Sequence, residues 1–175
     1  MKILLTGVSS GIGLYLAQAL RGEEVWGLAR RNPLDKVCSH FSACDVSQWS
    51  AVEGVARDVR ATWSRLDAII HCAGTQGAVG QAMTVEPLEW VNTVRSNVEG
   101  AYFILRAFFC LLRHSQNRSK IILFSGGGAS KPRQISVLTD ARRLLWCGLL
   151  RRWLKSGNNS RLTLISLRLE QSTRR

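Results

Sequence analysis

Two stretches of this 175-residue chain combine residue types and spacing that suit chemistry. The first is T-G-V-S-S-G-I-G, Thr6 to Gly13, with glycines at 7, 11 and 13 between an apolar run and a helical pattern. Gly7 permits a sharp turn, and the lack of a Cβ at Gly11 and Gly13 lets backbone come close to a pyrophosphate. The helix that follows would present free N–H groups and its positive dipole end to that anion. The second is G-L-A-R-R, ending at Arg31. A carboxylate after the second strand of such a fold bonds a ribose 2′-OH, whereas an arginine accepts a 2′-phosphate. Ala29 stands at that place, followed by Arg30 and Arg31, so NADP(H) is favoured over NAD(H).

These stretches need a scaffold. Lys2–Thr6 reads as a strand and a helix starts near Gly11, with Ile12, Leu16, Ala19 and Leu20 on one face. Strands are expected at Glu24–Ala29, Phe41–Cys44, Leu66–His71 and Lys120–Ser125. Helices are expected at Trp49–Trp63 and Pro87–Val94, the latter resuming over Asn97–Arg113. Strands alternating with helices imply a doubly wound parallel sheet of Rossmann type in a single domain. Leu138–Leu154 has weak helical character, with arginine pairs on several faces, and Leu162–Leu169 alternates as a strand would.

Composition bounds the function. Five cysteines with no C-x-x-C pair argue against a disulfide framework and a zinc site, and fit reduced thiols in a cytoplasmic protein. No apolar run reaches the ~18–20 residues that span a bilayer, and the amino terminus turns into the glycine loop before a signal-peptide core forms. The net charge is +12. Residues 134–175 hold nine Lys/Arg against two Asp/Glu, more than half of the excess. Trp146 and Trp153 interleave with arginines there, but the arginines do not gather on one face, so neither nucleic acid nor a membrane is expected as a partner.

Together with C-D-V (44–46), H-C-A-G (71–74), S-N-V (96–98) and I-I-L-F-S-G-G-G (121–128), the glycine motif makes residues 1 to about 133 resemble the short-chain dehydrogenase/reductase family. The resemblance implies an NAD(P)-binding domain over 1–133, hydride transfer between an alcohol and a carbonyl, and a homo-oligomer built on the helix near Asn97. It implies a cofactor site formed by Thr6, Gly7, Ser9, Ser10, Gly11, Ile12, Gly13, Arg30, Asp45, Val46, Ala73, Gly74 and Asn97. Catalytic roles fall to Asn97, which holds a proton-relay water, and to Ser125, although the family's register points at the next position, Gly126.

The family's proton donor is a tyrosine, with a lysine four residues later on the same helix face. The only tyrosines here are Tyr15 and Tyr102. Restoring one base after the Arg133 codon, with permitted synonymous codons, makes the following segment read Y-G-C-S-K. Arg161 to Arg174 then reads I-D-V-N-F-A-A-P-G-A-I-N-T-R. The expectation is therefore a sheet truncated or altered after the fifth strand, with 134–175 an out-of-frame basic tail and the chain inactive. The alternative is a non-catalytic NADP(H)-binding module.

Overall fold

The computed structural model describes residues 1–33, 36–77, 84–115, 118–126 and 162–169. Six parallel strands form one sheet in the order β3-β2-β1-β4-β5-β6, with β1 at Lys2–Thr6, β2 at Glu24–Ala29, β3 at His40–Ala43, β4 at Ala68–His71, β5 at Ser119–Gly126 and β6 at Leu162–Leu169. Strands β1, β2 and β4 are apolar on both faces, as a sheet covered on both sides requires.

One face carries Leu4, Leu28, Ile69, Ile121 and Leu123. Against it pack Val52, Val55, Ala56 and Val59 of α2 (Trp49–Thr62) and Ile104, Phe108, Leu111 and Leu112 of α4 (Gly100–Arg113). The guanidinium of Arg60 ties these helices by donating to the Ala107 carbonyl at 2.9 Å. Ile3, Leu5, Val25, Ala68 and Ile70 point the other way, toward Ala17 of α1 (Gly11–Ala19). The short helix α3 (Pro87–Val94) runs through one π turn, Arg95–Glu99, into α4.

The expected interruption after the fifth strand is overturned. All eight residues of β6 pair in parallel with β5, Ser119 opposite Leu162 through Gly126 opposite Leu169. Leu162 and Leu164 pack on the core beside α2 and α4. Alternating Leu, Thr and Ile suffice for this, because a strand is specified by period-two apolar residues and by a waiting edge. β6 thus covers the edge of β5, and Leu162–Leu169 is the strand its alternation suggested. The helical pattern at Leu138–Leu154 lies outside the described residues.

At the amino-terminal ends of the strands, Asp67 fastens the sheet. Its carboxylate accepts from the Lys2 N–H and the Ser115 hydroxyl, each at 2.8 Å, and its backbone bonds both Lys2 and Lys120. Burial alone would raise its pKa. The Lys2 and Ser115 donors, with the charges of Arg65 and the amino terminus, outweigh that and lower it.

Candidate dinucleotide site

At the opposite end of the sheet the strand order reverses between β1 and β4, the place where ligands bind in open α/β folds. Gly7 leaves β1 at φ 80°, its N–H held by the Leu28 carbonyl at 2.7 Å. A Cβ on Gly7 would lie 2.8 Å from the Ala73 nitrogen, and one on Gly13 would lie 2.2 Å from the Gly7 carbonyl oxygen. These two glycines let the turn, the start of α1 and the end of β4 close on one another. Gly11, at φ 56°, has nothing within 4 Å of its Cβ position. Leu14 makes the bond to Ser10 that opens α1, so the amides of residues 11–13 have no acceptor within the helix, and no acidic side chain occupies the first turn.

This turn borders a cleft of about 710 Å³. Of the expected site residues, Gly7, Ser9, Ser10, Gly11, Ile12, Gly13, Arg30, Asp45, Val46, Ala73 and Gly74 line it. Thr6 and Asn97 are buried behind its walls. The Thr6 hydroxyl oxygen accepts from the Ala73 N–H at 3.0 Å and lies 2.9 Å from Nδ1 of buried His71. Thr6 thereby links the end of β1 to the H-C-A-G segment. Asn97 sits in the π turn with both ends of its carboxamide engaged. Nδ2 donates to the Thr75 carbonyl and Oδ1 accepts from the Thr75 N–H, both at 2.8 Å. It pins the loop after β4 to the helix. Ser125 occupies the carboxy-terminal part of β5, opposite Arg168 of β6; only its backbone is described.

The Asp45 carboxylate accepts from the Ser47 N–H at 3.0 Å and the Ser47 hydroxyl at 2.7 Å, a local turn that fixes the loop after β3. Burial, with the neighbouring Asp45 charge, pushes the Cys44 thiol up to about 11. Gly100 brings α4 against this loop, where a Cβ would stand 2.9 Å from Val46 Cγ2.

The sequence reading missed one wall of the cleft, made by Glu89, Asn92, Thr93, Arg95 and Ser96 of α3 and the π turn, and also Ser47 and Thr75. Asp-x-Ser at 45–47 was a readable turn signal; the α3 wall carried none. Among the described residues, no group of three His, Cys, Asp or Glu could hold a metal ion. No described helix is long and apolar enough to cross a membrane.

A glycine cradle at the switch point, an anion-ready helix terminus and a roomy cleft fit a dinucleotide. Comparison with known proteins agrees with the geometry, since the short chain dehydrogenase family profile matches residues 1–137. The chain belongs to the short-chain dehydrogenase family. An NADPH-dependent pterin aldehyde reductase of Arabidopsis thaliana is 31% identical over 139 residues, covering 73% of this chain and 57% of the plant protein. A D-threitol dehydrogenase of Mycolicibacterium smegmatis is 28% identical over 138 residues, 72% of this chain and 49% of that one. Among solved structures, a short-chain dehydrogenase of Shigella flexneri complexed with NADP superposes with a TM-score of 0.85 at 22% identity. It covers 95% of this chain and 76% of that one, and establishes likeness of fold. The chain spans about half the length of the curated relatives it matches.

Proposed function

We propose that residues 1–133 are the dinucleotide-binding part of an NADP(H)-dependent oxidoreductase acting on a small-molecule alcohol or carbonyl. The observation that carries this reading is the cradle of Gly7 and Gly13, which opens on a cleft bordered by Arg30 and Arg31 and by no carboxylate from β2. The NADPH dependence in the plant relative's name and the NADP in the Shigella structure support the choice of cofactor. When bound, the cofactor supplies the hydride chemistry and the protein the positioning. The amides of residues 11–13 would hold the pyrophosphate. Asp45, Val46, Ala73 and Gly74 would frame the adenosine, and Arg30 with Arg31 would meet the 2′-phosphate. Thr6 and Asn97 keep the two walls in place.

The proton-transfer half is a different matter. No tyrosine follows Tyr102, so the chain has no Tyr-x-x-x-Lys pair after β5. General acid–base assistance is worth roughly 10²–10⁴-fold, and the expected behaviour is NADPH binding with negligible turnover. Titrating NADPH fluorescence, then assaying carbonyl reduction with the same preparation, tests both statements. Absence of binding refutes the site, and robust reduction refutes the inactivity.

A second reading, a non-catalytic NADP(H)-binding module, draws on β6. Residues inside the basic segment complete the sheet beside β5, as a selected domain would require. The coding DNA across the Arg133–Gln134 junction separates the two. A one-base restoration that opens a long frame with Y-G-C-S-K and P-G assigns 134–175 to an out-of-frame product of a reductase parent, which would be homo-oligomeric. A closed frame assigns the chain to the binding module. Either protein, with five cysteines and no C-x-x-C pair, suits the reducing cytoplasm.

A further inference from the structure

We propose that Arg95 is a specificity residue that grips the 2′-phosphate of the dinucleotide together with Arg30 and Arg31. The inference rests on the NADP(H) reading above. All three arginines line the same cleft, two from the end of β2 and one from the π turn. Among the described residues none of them forms an ion pair; those found join the amino terminus to Glu23 and Arg65 to Asp67. The carboxylates lining the cleft are Asp45 and Glu89, and one oxygen of Asp45 already accepts two bonds from Ser47. Three guanidinium groups with no ion pair among the described residues line one cavity, and a doubly charged phosphate takes such forked donors two at a time.

The backbone of Arg95 is fixed before any ligand arrives. Its carbonyl accepts the Gly100 N–H, the i to i+5 bond of the π turn. Two residues on, the buried Asn97 is locked to Thr75. π turns recur at functional sites because the extra residue re-aims the side chains around it. The pyrophosphate has the α1 amides to meet it, so the 2′-phosphate is the anion left for side chains.

The test uses the full chain and calorimetric titration with 2′,5′-ADP and 5′-AMP, two probes that differ at the 2′-phosphate. Arg95→Ala and Arg95→Gln should each weaken 2′,5′-ADP by about tenfold or more and leave 5′-AMP within about twofold, with Arg95→Lys recovering only part of the loss. Arg113→Ala, outside the cleft, should change neither. Melting curves of each variant identify any that fail to fold, and Arg95 is exposed, so at least the glutamine variant should fold. Equal weakening of both probes, or of neither, overturns the inference alone. A wild-type chain that binds 2′,5′-ADP no better than 5′-AMP overturns the NADP(H) reading and the inference with it.

Discussion

Replacing Gly13 by alanine tests the cradle at its tightest point. The new methyl would stand 2.2 Å from the Gly7 carbonyl oxygen, 2.6 Å from the Gly7 carbon and 3.2 Å from the Thr6 oxygen. All three are backbone atoms, and the Gly7 peptide is anchored by its 2.7 Å bond to Leu28, so no side chain can swing aside. Relief requires the first turn of α1 to retreat by roughly 1 Å, which belongs to the upper part of the ~1–3 kcal/mol range for overpacked sites. A loss near 3 kcal/mol lowers the melting temperature of a chain this size by about 6–12 °C. The same retreat carries the amides of residues 11–13 away from their anion, and displacements of that size cost about 10²-fold where geometry governs. Gly22→Ala is the control, since its Cβ would meet nothing within 4 Å, and it should stay within about 0.5 kcal/mol of wild type. The assays are differential scanning fluorimetry and NADPH titration. A Gly13→Ala protein that melts and binds like the control would refute the close-packed cradle.

Three further outcomes are expected. Asn97→Ala removes both bonds to Thr75, at about 0.5–1.5 kcal/mol for each, so the protein should be destabilised in urea and the Thr75 amide should exchange faster. Asp67 has a lowered pKa, so its contribution to stability is complete above the ordinary carboxyl value of about 4 and fades as pH falls through its lower native value. Asp67→Asn should therefore unfold more easily at pH 7 and show a flatter decline into acid, read from urea midpoints against pH; an unchanged acid limb counts against the clamp. Cys44, with its thiol pushed up to about 11, should resist iodoacetamide at pH 8 in the native state. Exposed Cys110 should be alkylated first among the described thiols, as peptide mass mapping would reveal.

Much of the scaffold was legible because its signals are local and redundant. β2, α3 and β6 have the bounds their apolar patterns suggested. β4 begins at Ala68 rather than Leu66, since Leu66 and Asp67 turn their bonding groups to Leu111, Lys2 and Lys120. β3 and β5 each start one residue earlier than expected. The π turn was invisible, because no residue type marks it; it arises where Asn97 must reach Thr75 while Gly100 fits against Val46. The glycine loop and both arginines were readable as chemistry. The α3 wall was not, since Glu89 and Arg95 look like ordinary surface charge until tertiary structure sets them along the cleft. The larger misreading concerned β6. Charge imbalance and a lost motif suggested a broken fold, yet a strand needs only alternation and a free edge to join.

β1 lies in the middle of the sheet, and its two neighbours reach it at very different times. β2 starts at Glu24, but the partner on the other side includes His71, which meets Thr6 across 65 residues of chain. At about 5–20 residues per second of synthesis, that neighbour arrives roughly 3–13 s later. Throughout the wait, the nascent chain presents the hydrogen-bonding edge of Ile3–Leu5 with no strand to cover it. The ribosome-bound chain is therefore a natural client for chaperones that shield apolar strands, and ribosome pausing before residue 71 would lengthen its exposure.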